Sequence, residues 1–166
     1  YPILNTFDVY GGMTPKIEWT KALMRAHNDL LVDKFLDEYD HFKGLATVSP
    51  QDPDLAAEEI DRVSDEKDIV GLYLHNTGPR PPLGDPTYDI MWQAAEKNDL
   101  NVALHGSANG FMYEFPRQNH DLRTFTAVHT LAHPWSQMLT LTSLITEGVP
   151  EKFPTLKFTF CESGLT

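Results

Sequence analysis

The chain has 166 residues, of which 41% are hydrophobic, 22% charged and 11% aromatic. That is the composition of a globular protein with one sizeable core, and no apolar run approaches the ~18 residues of a membrane span. A net charge of −11 repels phosphate backbones, so no nucleic acid and no membrane is expected as a partner. In chain order, residues 14–39 read as a helix. Thr14 suits the N-cap and Pro15 the first turn, and Trp19, Ala22, Leu23, Ala26 and Leu30 follow helical spacing. Residues 44–49 are a short apolar run ahead of Pro50 and read as a strand. Asp52 and Pro53 open the next helix, with Leu55, Ala56, Ile60 and Val63 on one face. Residues 68–74 read as a second strand, 77–86 as a Pro/Gly-rich loop, 87–98 as a helix and 101–104 as a third strand. Residues 106–130 form an aromatic-rich insertion. Pro134 then begins a helix carrying Met138, Leu139, Leu141, Leu144 and Ile145, and Gly148 stops it. Residues 156–161 are the fourth strand. Trp92, Trp135 and the Leu/Met stripes are expected in the core.

Alternation of apolar strands with helices gives an α/β fold with a parallel sheet. Two architectures compete. One is a complete open, doubly wound parallel sheet; the other is part of a (β/α)8 TIM barrel, which takes about 250 residues when whole. The chain starts at Tyr1 without Met and stops just past a strand-like run, so both ends read as cut. The expectation is therefore a partial barrel of four to five βα units, with residues 1–166 the central portion of one barrel domain. Cys161 is the one cysteine, which excludes an internal disulfide and a Cys-rich zinc site. With no visible signal peptide, a reducing, cytoplasmic setting is expected.

In both architectures ligands bind at the carboxyl ends of the parallel strands. Three of the four expected strands end in an ionisable residue there: His75, His105 and Glu162. Strand parity groups Ala103 with His105, and Phe158 and Phe160 with Glu162. A neutral imidazole at a strand mouth is a good divalent-metal ligand, which makes His105 the candidate ligand. Glu162 could ligate, orient a ligand or act as a base, and His75 is a further catalytic candidate. The insertion offers Phe111 with Arg117 and Arg123 as substrate-binding candidates, an aromatic lid with guanidinium groups for a planar carboxylate. The same segment could instead anchor a neighbouring subunit, and a homo-oligomer is expected. No His-Glu-x-x-His motif and no cysteine pair is present.

Beyond spacing, the stretches Gly71-Leu72-Tyr73-Leu74, Leu83-Gly84-Asp85-Pro86-Thr87-Tyr88, Trp92-Gln93-Ala94-Ala95-Glu96 and Val102-Ala103-Leu104-His105-Gly106, in that order, resemble the amidohydrolase-related family. That family includes the aminocarboxymuconate-semialdehyde decarboxylase-like enzymes. Leu144-Ile145, Gly148-Val149-Pro150-Glu151-Lys152-Phe153-Pro154 and Leu156-Lys157-Phe158 are similar to its later pattern, and Asn28-Asp29, Phe42-Lys43-Gly44-Leu45-Ala46 and Asp52-Pro53 to its preceding unit. The resemblance covers residues 25–166. It implies a (β/α)8 barrel with one divalent metal, zinc or manganese. It also implies hydrolysis or non-oxidative decarboxylation of a small carboxylate-bearing substrate. The family's ligands are a His-x-His pair at the first strand, a His after the fifth and an Asp after the eighth. His105 corresponds to the third of these, and no His-x-His occurs in this sequence. Glu162 stands at the end of the sixth strand, where many members carry His and a subset carry Glu-Ser-Gly. The competing reading is a non-catalytic α/β binding or oligomerisation module, with His105 as structure.

Overall fold

The computed structural model describes residues 1–5, 16–76, 79–106 and 121–164, apart from the side chains of residues 132 and 133. Five strands, β1 (Ile3–Asn5), β2 (Lys43–Thr47), β3 (Ile69–His75), β4 (Asn101–His105) and β5 (Phe158–Cys161), form one parallel sheet in sequence order. An open doubly wound sheet reverses its strand order at a switch point. This sheet does not, and sequential order is that of a barrel wall. The open-sheet alternative is thereby set aside. β1 has only three residues, too short to register as a strand in the sequence.

Helices α1 (Ile17–Leu31, continued by a π-helical turn Val32–Leu36), α2 (Pro53–Val63), α3 (Asp89–Lys97, preceded by a 3-10 turn Pro86–Tyr88), α4 (Phe125–Thr146) and α5 (Val149–Lys152) connect the strands. Ala46, Leu72, Leu74, Val102 and Leu104 point toward the helices and meet Met24, Ile60, Met91, Trp92 and Leu144 in one core. Trp92 is buried as expected. Its indole N–H donates to the Leu83 carbonyl at 3.2 Å and its ring packs edge-on against Phe158. Alternate strand residues occupy the other face in transverse rows: Thr47, Tyr73, Ala103 and Thr159, then His75, His105 and Cys161 at the carboxyl rim.

Helix starts follow their capping chemistry. The Asp52 side chain accepts from the Leu55 N–H at 3.1 Å with Pro53 in the first turn, as the sequence predicts. Thr14 and Pro15 lie outside the described residues. The spacing of Trp19, Leu23 and Leu30 does not mark the buried stripe of α1; these side chains are exposed, and Thr20, Met24, Asn28 and Leu31 are buried. Asn28 faces inward because its amide replaces a strand neighbour of β2, accepting from the Thr47 N–H at 2.7 Å and donating to the Thr47 carbonyl at 3.0 Å.

α4 departs furthest from expectation. It begins at Phe125 rather than Pro134, because the Thr124 hydroxyl accepts from the Ala127 N–H at 3.2 Å and caps it. Pro134 sits inside the helix at the loss of one backbone hydrogen bond. The buried stripe is Ser136, Gln137, Thr140 and Leu144, whereas Leu131, Trp135, Met138, Leu139, Leu141 and Ile145 are exposed. Trp135 and most of the Leu/Met stripe are therefore not core. The sheet-facing side of this helix does hydrogen bonding, so its apolar side is left outward. Gly148 ends the connection with φ +72°, the left-handed conformation glycine adopts freely. No helix among the described residues is long and apolar enough to cross a membrane.

Candidate functional site

Strand periodicity builds the site. Tyr73 and His75 lie two apart on β3 and share the face that carries His105 on β4 and Cys161 on β5. The Tyr73 ring centroid is 5.4 Å from that of His75 and 5.6 Å from that of His105, and the two imidazoles are 5.8 Å apart and nearly perpendicular. His75 is buried and His105 half-buried. The carboxyl rim thus presents a floor of three rings rather than scattered strand ends.

Glu162 corrects the parity argument. Continued extension of β5 would place it with Phe158 and Phe160, on the helix-facing side. Its φ is +54°, so the backbone leaves the strand in the left-handed region. The carboxylate then comes to 3.6 Å from His105 Nε2, with more than half of the side chain exposed. For a non-glycine residue this conformation costs about 1–2 kcal/mol, a cost typical of functional positions. Burial, followed by the neighbouring Cys161 and Glu162, pushes the Tyr73 phenol up to about 12. Burial, followed by Glu162, also raises the Cys161 thiol, which leaves it protonated near neutrality and a poor nucleophile.

The predicted site residues therefore divide. His75, His105 and Glu162 converge on one rim. Arg123 is exposed, one residue before the cap of α4. Phe111 and Arg117 lie outside the described residues. Among the described residues no group of three His, Cys, Asp or Glu side chains stands close enough to hold a metal ion. Strand ends alone do not point to Tyr73, Asn76 or Gln137. Tyr73 could have been found by counting two back from His75. Asn76 and Gln137, both buried, carry no sequence signal. His129 and His133 stand four apart on α4, and of these His129 is exposed and stacks against Phe125.

Residues 11–166 match the amidohydrolase family. The gamma-resorcylate decarboxylase of Rhodococcus jostii is 30% identical over 132 residues, which are 73% of this chain and 36% of that protein. The 5-carboxyvanillate decarboxylase of Sphingomonas paucimobilis superposes with a TM-score of 0.78 at 25% identity, over 94% of this chain and 45% of its own. A 5-carboxyvanillate decarboxylase from Novosphingobium aromaticivorans, solved with manganese and 4-hydroxy-3-methoxy-5-nitrobenzoic acid, gives 0.76 at 24% identity, over 94% of this chain and 43% of its own. The chain spans less than half the length of each of these three proteins. The likeness to these structures makes the five-stranded sheet part of a (β/α)8 barrel, and the chain belongs to the amidohydrolase family.

Proposed function

We propose that the full-length protein is a metal-dependent, non-oxidative decarboxylase of a small aromatic carboxylate. The observation that carries this reading is the approach of Glu162 to His105 at the carboxyl rim, on a floor of rings formed by Tyr73 and the two imidazoles. The names of the relatives, decarboxylases of hydroxylated benzoates, support the choice of decarboxylation over hydrolysis.

The imidazole nitrogen of His105 is a ligand type suited to manganese or zinc. His105 would hold the ion, with Glu162 beside it, and the remaining ligands would come from parts of the protein beyond the described residues. When bound, the ion would polarise the carboxylate or phenol oxygen of the substrate. Glu162, open to solvent and close to His105, holds or passes the proton that the ring carbon gains as the bond to CO2 breaks. Tyr73 stays a neutral phenol throughout this chemistry and contributes a flat wall. His75, buried against Tyr73, orients the floor.

The test incubates full-length protein, reloaded with manganese, with 2,6-dihydroxybenzoate and 5-carboxyvanillate and measures CO2. The wild type is expected to release CO2 from at least one of them. His105→Ala should lose bound metal and turnover, and Glu162→Gln should keep metal while kcat falls about 10²-fold or more. Hydrolysis of amides or lactones of the same acids without CO2 release would overturn the decarboxylase assignment.

A homo-oligomer also belongs to this reading. α4 carries no Asp, Glu, Lys or Arg over 22 residues, in a chain of net charge −11, and its apolar side is exposed. Two equally acidic copies repel each other least across such a neutral face. Sedimentation equilibrium should show a dimer or larger, shifted toward monomer by Leu139→Glu; a monomeric wild type would exclude this arrangement.

A further inference from the structure

We propose that Gln137 of α4 is the positioning residue of this site, one amide that fixes the relative placement of the three strand ends bearing His75, His105 and Glu162. The inference rests on the site reading above. It assigns Gln137 no contact with substrate or metal.

The hydrogen bonds define the role. Gln137 Nε2 donates to the Leu104 carbonyl at 3.3 Å and to the Cys161 carbonyl at 2.5 Å, and Oε1 accepts from Asn76 Nδ2 at 2.5 Å. Both amide hydrogens and the carbonyl oxygen are thereby committed. Each bonded residue is the immediate chain neighbour of a site residue: Asn76 follows His75, Leu104 precedes His105 and Cys161 precedes Glu162. Asn76 extends the tie. Its N–H donates to the His105 carbonyl at 3.3 Å, and its own carbonyl accepts from the Thr140 hydroxyl at 3.4 Å.

The location explains the residue type. The paired registers run out at His75, His105 and Cys161, where ladder bonding stops and backbone groups need other partners. A buried glutamine is costly unless all of its polar atoms are satisfied, and a leucine here would pack against the sheet without that demand. Only a planar amide offers two donors on one nitrogen with an acceptor alongside. Glutamate lacks the donors, and asparagine is one methylene, ~1.5 Å, too short. Because Glu162 leaves β5 through a left-handed residue directly after the Cys161 carbonyl, a shift at that carbonyl transfers to the gap between Glu162 and His105.

The test compares Gln137→Met with Leu144→Ala in the full-length protein. Both sites are buried on the same helix, but Leu144 does not bond to the strand ends. For each variant, manganese affinity is measured by calorimetry, thermal stability by melting, and kcat and KM on whichever aromatic carboxylate the wild type decarboxylates. Gln137→Met is expected to weaken manganese binding about tenfold and to lower kcat by about 10–100-fold with a smaller change in KM. Leu144→Ala should melt at least as early while both quantities stay within about threefold of wild type. Equal losses in the two variants, or no loss in Gln137→Met, would overturn the proposal. If the wild type binds manganese but decarboxylates neither probe, the affinity comparison still decides the role of Gln137 and only the decarboxylase reading falls. A wild type that binds no manganese overturns both.

Discussion

Two buried polar networks hold the helices to this sheet, and they are built from different materials. Beneath α1 and α2 the network is ionic. Glu59 is fully buried and receives Asn28 Nδ2 at 2.8 Å, Arg62 Nε at 2.8 Å and Nη2 at 2.6 Å, with Arg25 Nε at 3.3 Å. Arg62 also reaches Asp29 at 2.9 Å. Beneath α4 the network is neutral, an amide against carbonyls and a second amide. A buried carboxylate survives only with dedicated cations, and Glu59 has two. At the carboxyl rim such fixed charges would act on whatever ion or anion binds beside His105, through a medium of low dielectric. Neutral ties there place no charge of their own beside Glu162 and His105, which approach to 3.6 Å.

The comparison can be broken first at the ionic end. Asn28→Leu removes a donor from Glu59 and both partners of Thr47, and should cost about 3–5 kcal/mol. Melting of the full-length protein checks this, and kcat per folded molecule should stay near wild type, since the bonds of Asn28 go to Thr47 and Glu59. The neutral network should show the reverse ratio. The stability cost of Gln137→Met is expected at about 1–3 kcal/mol, read from the same melts, below that of Asn28→Leu despite the larger loss of turnover. The smallest effect lies at Tyr73. Its folded pKa is raised, so the neutral phenol contributes stability that is complete below the ordinary value near 10 and is lost as pH rises through that value toward about 12. Tyr73→Phe should therefore flatten the alkaline fall of melting temperature between pH 10 and 12. An unchanged fall would show that another group controls it.

Much of this was legible in the residues because strands and their ends carry strong signals. Apolar runs located β2 to β5, and an ionisable residue directly after an apolar run located His75, His105 and Glu162. The order of the strands, which separates barrel wall from open sheet, is a pairing property that no single strand encodes. β1 escaped because three residues make no pattern. Hydropathy spacing misplaces the buried faces of α1 and α4 for a common reason. It assumes that the buried face is the apolar one, and on both helices the inward face includes amides that complete a strand's hydrogen bonding. Leu30 and Met138 are outward for the reason that Asn28 and Gln137 are inward. The direction of Glu162 was beyond parity because a single left-handed residue cancels the alternation.

That residue sets a narrow menu for change at the rim. A positive φ is most easily accepted by glycine, then by asparagine and aspartate, and poorly by longer or branched side chains. Aspartate at 162 would sit more comfortably on the backbone but would retract the acid by ~1.5 Å from His105. Reach and ease of conformation are thus opposed at this one position. A lineage that relaxed the turn would have to surrender either the carboxyl group or its nearness to the imidazole.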